Sequence, residues 1–211
     1  MKPTVYYSSP RHDRPREAEA VRRCVLGPRS GNSIAHPPRE LQQVEPQPML
    51  IDLARLREMH PRLPSDLALI LVTRAALGLE RNGHGSGVEI SVDVERLVTE
   101  GVLSWPAVDF SRLDQHDHHR VTEEGAEAVA LVLAHEDRGW RVVRRMQREE
   151  YADWLLEELD EESRRLVALE VSGVNRGSLK KRLAEKLEQV AKSVDVHQRW
   201  AGVVGFEKPW T

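Results

Sequence analysis

The stretch EEYADWLLEELDEESRRLVALEVSG, residues 149–173, decides how the chain is read. Two apolar runs, YADWLLEE and LVALEVSG, flank a polar LDEESRR that reads as a turn. The segment therefore predicts two consecutive strands. Each run carries an acid, Asp153 in the first and Glu170 in the second. Strand side chains alternate between faces, so Tyr151, Asp153 and Leu155 share one side of their strand. Leu166, Ala168, Glu170 and Ser172 share one side of theirs. If the strands are hairpin neighbours, Asp153 and Glu170 can converge. Two close carboxylates repel, and burying either one ionised is costly. A divalent cation removes that penalty. Mg²⁺ takes oxygen ligands and commonly uses one or two carboxylates together with substrate phosphate. The pair thus suits metal-assisted phosphodiester hydrolysis with Mg²⁺ or Mn²⁺.

The flanking segments extend the pattern. RVTEEGAEAVALVLAHEDRG predicts a helix with Thr122 as N-cap and Gly139 as its stop. WRVVRRMQ reads as a strand. GSLKKRLAEKLEQVAKS reads as an amphipathic helix with Leu179, Leu183, Leu187 and Val190 on one stripe. WAGVVGFE reads as a buried strand, and Trp154 and Trp200 are assigned to the core. The order is helix, strand, strand, strand, helix, strand.

With Asp153 in YADWLL and Glu170 in LVALEVS, this order resembles the PD-(D/E)xK restriction-endonuclease-like superfamily, over about residues 121–207. The resemblance implies an α/β fold with a central mixed sheet flanked by helices. It implies that Asp153 and Glu170 are metal ligands, that Glu127 on the first helix is a third, and that Gln189 loosely matches a helix glutamine of some members. The superfamily places a lysine where this chain has Ser172, a hydroxyl that carries no charge. Lys180 or Lys181, early in the following helix, are the candidates to replace it. The same departure supports a second reading, a non-catalytic interaction module that keeps the fold without the reaction.

Upstream, PSDLALILVTRAALGLERNG predicts a helix from Ser65 as N-cap to Asn82-Gly83, and VEISVDVERLV a half-buried strand of period two. TEGVLSWPAVDFSRLDQHDHH reads as loop or short helix. Ten of the twelve prolines lie at or before Pro64. The expected organisation is a Pro-rich, partly extended arm over 1–64, a helix–strand extension over 65–120 and the catalytic-type core over 121–211. Residues 1–64 hold eleven Lys and Arg against seven Asp and Glu, so the arm reads as a solvated tail or as one that touches phosphate.

A formal charge of −3 over 211 residues argues against a globally basic nucleic-acid binder but leaves room for a local basic groove. DNA is preferred to RNA as the partner, and a homodimer is compatible with the chain. One cysteine, Cys24, excludes a disulfide within the chain and makes the cytoplasm the expected compartment. No apolar run is long enough to span a membrane, and no signal peptide is expected.

Three further motifs have competing readings. DQHDHH, residues 114–119, offers zinc-type ligands, but adjacent residues cannot all point inward, so it reads as a polar loop with pH-sensitive histidines. HRVTEEG is similar to the strand-to-helix ending of a winged-helix DNA-binding domain. RVVRRMQR puts Arg141 and Arg145 on one face and Arg144 and Arg148 on the other, as a phosphate-contacting or charge-blunted edge.

Overall fold

The computed structural model describes residues 2–10, 48–109, 117–159 and 163–207. Its centre is an eight-stranded mixed sheet, β1 Thr4–Ser8, β2 Met49–Asp52, β3 Val88–Val94, β4 Leu97–Ser104, β5 Arg141–Arg145, β6 Trp154–Leu159, β7 Arg164–Val174 and β8 Gln198–Gly205. The strand order is β2-β4-β3-β1-β8-β7-β6-β5. The helices are α1 Leu56–Met59, α2 Ser65–Arg81, α3 His118–Arg138 and α4 Leu179–Val190. Among the described residues no helix is long and apolar enough to cross a membrane.

The fold is α/β, and residues 118–205 run helix, strand, strand, strand, helix, strand. Strands β5, β6 and β7 form an antiparallel meander, and β8 joins β7 in parallel after α4. α3 covers one face. Its run Ala126–Ala134 is buried on every side, because the sheet lies below it and α2 above. Gly125 permits that contact, since a Cβ there would sit 3.0 Å from the Ala75 Cα. α4 covers the opposite face over β7 and β8, and the expected stripe of Leu183, Leu187 and Val190 packs there with Ala168 and Ala201. Trp154 and Trp200 are core, and Trp200 stacks on Tyr7 at 5.0 Å.

The N-terminal reading is corrected. Residues 4–8 are no arm: β1 lies in mid-sheet, parallel to β3 and antiparallel to β8. Val5 and Tyr7 point into the core while Thr4, Tyr6 and Ser8 stay partly exposed, the alternation of a one-sided strand. Pro3 and Pro10 lie beyond its ends, where no ladder amide is needed. β2 and α1 likewise integrate residues 49–59, while 11–47 lie outside the described residues.

β4 replaces the loop expected after Thr99. Glu95 and Arg96, with φ of 50° and 75°, form a tight hairpin turn of the kind that two positive φ values produce. Asp93 Oδ1 holds the turn by accepting the Arg96 amide at 2.8 Å. Ser65 is the first helical residue rather than a cap, with Pro64 before it. Asp117, not Thr122, caps α3 and accepts the amides of His119 and Arg120. HRVTEEG lies wholly within that helix, so no strand-to-helix junction falls on these residues. Of DQHDHH, residues 114–116 lie outside the described residues, and 117–119 begin α3 rather than a loop.

A bulge between Val142 and Arg144 breaks the period of β5. Arg141 pairs with Glu157 and Arg144 with Leu155, whereas Arg145 pairs with Trp154 on the opposite face. Arg141 and Arg145 therefore do not share a side. His60, unremarked in the sequence, seals this edge. Its Nδ1 accepts the Val142 amide at 3.1 Å, so Nε2 carries the proton and donates to the Leu131 carbonyl at 3.1 Å.

At Gly173, α3 packs tightly against β7. A Cβ there would lie 2.1 Å from the Thr122 carbonyl oxygen. Gly173→Ala should cost about 2 kcal/mol or more through forced backbone movement. Gly85→Ala, with nothing within 4 Å, should be nearly neutral. Urea unfolding checks the contrast, and equal midpoints for the two variants would contradict it.

Candidate functional site

Asp153 lies immediately before β6. Trp154 pairs with Leu169, and the Asp153 amide donates to the Leu169 carbonyl at 3.1 Å. Asp153 Oδ2 accepts the Val171 amide at 2.7 Å. The carboxyl is thereby fixed across the strand beside Glu170. The preceding loop is fixed too. Glu150 accepts from the Arg144 guanidinium at 2.8 Å and from the Gln147 amide at 2.6 Å, and the Met146 amide donates to the Asp153 carbonyl at 2.8 Å. Arg144 foremost holds the Glu150 carboxyl down at about 2.

Glu170 is 2 % exposed. The Lys186 ammonium, from α4, donates to its Oε1, and Lys186 also reaches Gln189 Oε1 at 3.4 Å. Glu170 Oε2 is buried with no donor. Burial first, then the neighbouring Asp153, pushes Glu170 up to about 7, with Lys186 opposing. Burial likewise raises Asp153, against the Val171 amide, Lys186 and Arg145. A pair this close and this dry favours holding a proton over carrying two negative charges.

α4 runs back along β7, and the two repeats match. Residues four apart on a helix rise ~6 Å; residues two apart on a strand rise ~6.6 Å. Arg182 and Lys186 therefore stand over Ser172 and Glu170 in turn. Arg182 Nε donates to Ser172 Oγ at 2.9 Å. Glu123, from α3, accepts from Ser172 Oγ at 3.3 Å and from the Gly173 amide at 3.1 Å. Arg182 Nη2 lies 3.6 Å from the same carboxylate.

The structure brings Asp153, Glu170 and Ser172 onto one side of the β6–β7 hairpin, under α4. Glu127 is near but turned to other work. Its Oε1 takes Arg145 at 2.6 Å and its Oε2 takes the Trp154 indole at 3.0 Å. Burial pushes it up to about 7 against Arg145. With both oxygens engaged, it fits a positioning role better than that of a metal ligand. Lys180 and Lys181 are exposed, and neither is bonded to the acids among the described contacts. The lysine that meets Glu170 is Lys186.

Lys186 had only a partial signal, one that narrows the choice among the lysines of α4 without making it. It lies three residues after Leu183 and four before Val190, on the packed side of α4. Arg145 and Glu123 had none, because the bulge in β5 and the approach of α3 to Gly173 are tertiary facts. Among the described residues no group of three or more His, Cys, Asp or Glu is arranged to hold a metal. Asp153 and Glu170 are the two carboxylates that stand together. Past Ser172, toward the C-terminal end of β7, a cavity of about 460 Å³ opens between the first turns of α3 and α4, lined in part by Glu123, Lys181 and Arg182 and by neither acid. Compared with known protein families, curated proteins and solved structures, the chain matches none of them.

The raised Glu170 fixes the sign of a pH effect. Its protonated form favours the fold fully below about 4.5, and that contribution is lost as pH rises to about 7. Glu170→Gln removes the loss. Between pH 5 and 8 the stability of this variant should gain roughly 2–3 kcal/mol on the wild type in urea unfolding. A difference that does not change with pH would show an ordinary carboxylate.

Proposed function

We propose that the chain is a metal-dependent phosphodiesterase of restriction-endonuclease-like architecture, acting on nucleic acid and on DNA in preference to RNA. The observation that carries this reading is Glu170 Oε2, a buried carboxylate oxygen with no donor, facing Asp153. Such an atom costs free energy unless a proton or a cation meets it. Asp153 and Glu170 would hold Mg²⁺ or Mn²⁺, which polarises a phosphate and lowers the pKa of a bound water. The meander, the α4 crossover and the place of the two acids within them support the architecture.

The other roles belong to side chains already in place. Lys186 supplies the positive charge that Ser172 cannot. Its ammonium neutralises Glu170 at rest and is within reach of charge developing on a phosphate beside the pair. Glu127 holds Arg145 against the indole of Trp154, which anchors the strand next to Asp153. Ser172 acts through Arg182, keeping that guanidinium over the sheet.

The closure of the site favours a second reading. Glu170 is almost fully covered and already paired with Lys186. A non-catalytic module that binds a partner through its arginines would keep this pair as a proton-sharing core contact.

Cleavage separates the two. The wild type should cut DNA with Mg²⁺ or Mn²⁺ present. Asp153→Asn, Glu170→Gln and Lys186→Gln should each lose ~10²-fold or more in rate, with Ser172→Ala losing far less. An inactive wild type, or full activity in both acid variants, would overturn the catalytic reading.

A further inference from the structure

We infer that the 460 Å³ cavity between the first turns of α3 and α4 takes one nucleotide unit of the substrate, with Arg182 and Lys181 as the ligands of its phosphate. The inference rests on the proposed action on nucleic acid, and it names the part of the site that would bind it. The cavity lies within the size range of small-molecule sites. Three cationic side chains line it, Arg176, Lys181 and Arg182, against two carboxylates, Glu123 and Glu185.

Those charges are not equal. Glu123 is already engaged by the Ser172 hydroxyl and the Gly173 amide, so much of its charge is met within the wall. Arg176 faces Glu207 at 3.7 Å. Arg182 has five N–H donors and gives its shortest bond, at 2.9 Å, to a neutral hydroxyl. Its carboxylate contacts are longer, 3.6 Å to Glu123 and 3.3 Å to Glu185, and Glu185 is half exposed. A phosphate offers the same planar fork a shorter, charge-assisted geometry. Lys181 stands next to it, exposed and without an ion pair among the described residues. Asn175 also lines the wall, with its amide already donating to Thr122 Oγ1 and accepting from Asn82 at 3.4 Å.

Position adds to the chemistry. Arg182 sits over Ser172, two residues along β7 from Glu170, a rise of ~6.6 Å. A phosphate on Arg182 is therefore about one nucleotide step from the acid pair.

The test is competition in the metal-free full chain. A labelled single-stranded oligodeoxynucleotide is bound, and a deoxynucleoside monophosphate, the matching nucleoside and inorganic phosphate are added as competitors. The monophosphate should displace it at concentrations where the nucleoside and inorganic phosphate do not. Arg182→Gln should weaken oligonucleotide binding roughly tenfold and lower its salt dependence by about one ion. Lys181→Gln, on an exposed side chain, guards against misfolding as the cause and should weaken it less. Wild-type binding by both variants, or equal competition by the nucleoside or by inorganic phosphate, would overturn the inference. Mn²⁺ titration of the same proteins keeps the two claims apart. Variants that bind Mn²⁺ like the wild type but lose oligonucleotide support the cavity. Absence of Mn²⁺ binding in a wild type that shows the expected competition sinks the catalytic reading alone.

Discussion

A buried carboxyl group, Glu170, and a partly buried one, Asp153, stand together under α4, and the C-terminal half of the chain is arranged around that fact. Glu170 points from mid-β7 to the face under α4, and Asp153 is held beside it by the Val171 amide. Ionised together they would repel strongly in so dry a setting. The protein answers with one ammonium, from Lys186, on one of the four oxygens, and one backbone amide on another. That leaves Glu170 Oε2 to a proton or a cation. The same pressure acts on Glu127, where Arg145 and the Trp154 indole supply what solvent cannot.

This arrangement depends on α4 lying back along β7, and the crossover depends on the sheet continuing past β8. β1 supplies the continuation. It pairs with β8 on one side and β3 on the other, so the first residues of the chain bind the β3–β4 hairpin to the acid-bearing half. Without β1, both β8 and β3 would present an unpaired edge.

The sequence carried the second half of the fold plainly. From Val121 onward, long apolar runs of clear period are separated by polar turns, and the helix and strand readings of α3, β5, β6, β7, α4 and β8 match the structure. The first half was harder for identifiable reasons. β1 has five residues and is flanked by prolines, so its two inward side chains, Val5 and Tyr7, were outweighed by the composition around them. The β3–β4 turn uses Glu95 and Arg96 where Asn and Gly would announce a hairpin. Asp117 displaced Thr122 as the cap because α3 begins a turn earlier than its apolar run. At the site, the expected meeting of Asp153 and Glu170 is present, but Asp153 lies just before β6 rather than on it and is held there by the Val171 amide, so strand alternation applies to Glu170 alone. Alternation was not enough to choose among the lysines of α4, since that choice depends on how the helix is rotated over the sheet.

Whether Glu170 keeps a proton or gives way to a cation is decided by the ionisation of one carboxyl group, and carbon-detected NMR of labelled glutamate side chains reads it directly. Glu170 should titrate near 7 without metal. Mg²⁺ should pull this midpoint down by displacing the shared proton, and only while Asp153 is present. A midpoint in the ordinary glutamate range, or one that ignores Mg²⁺, would rule out a cation held by this pair.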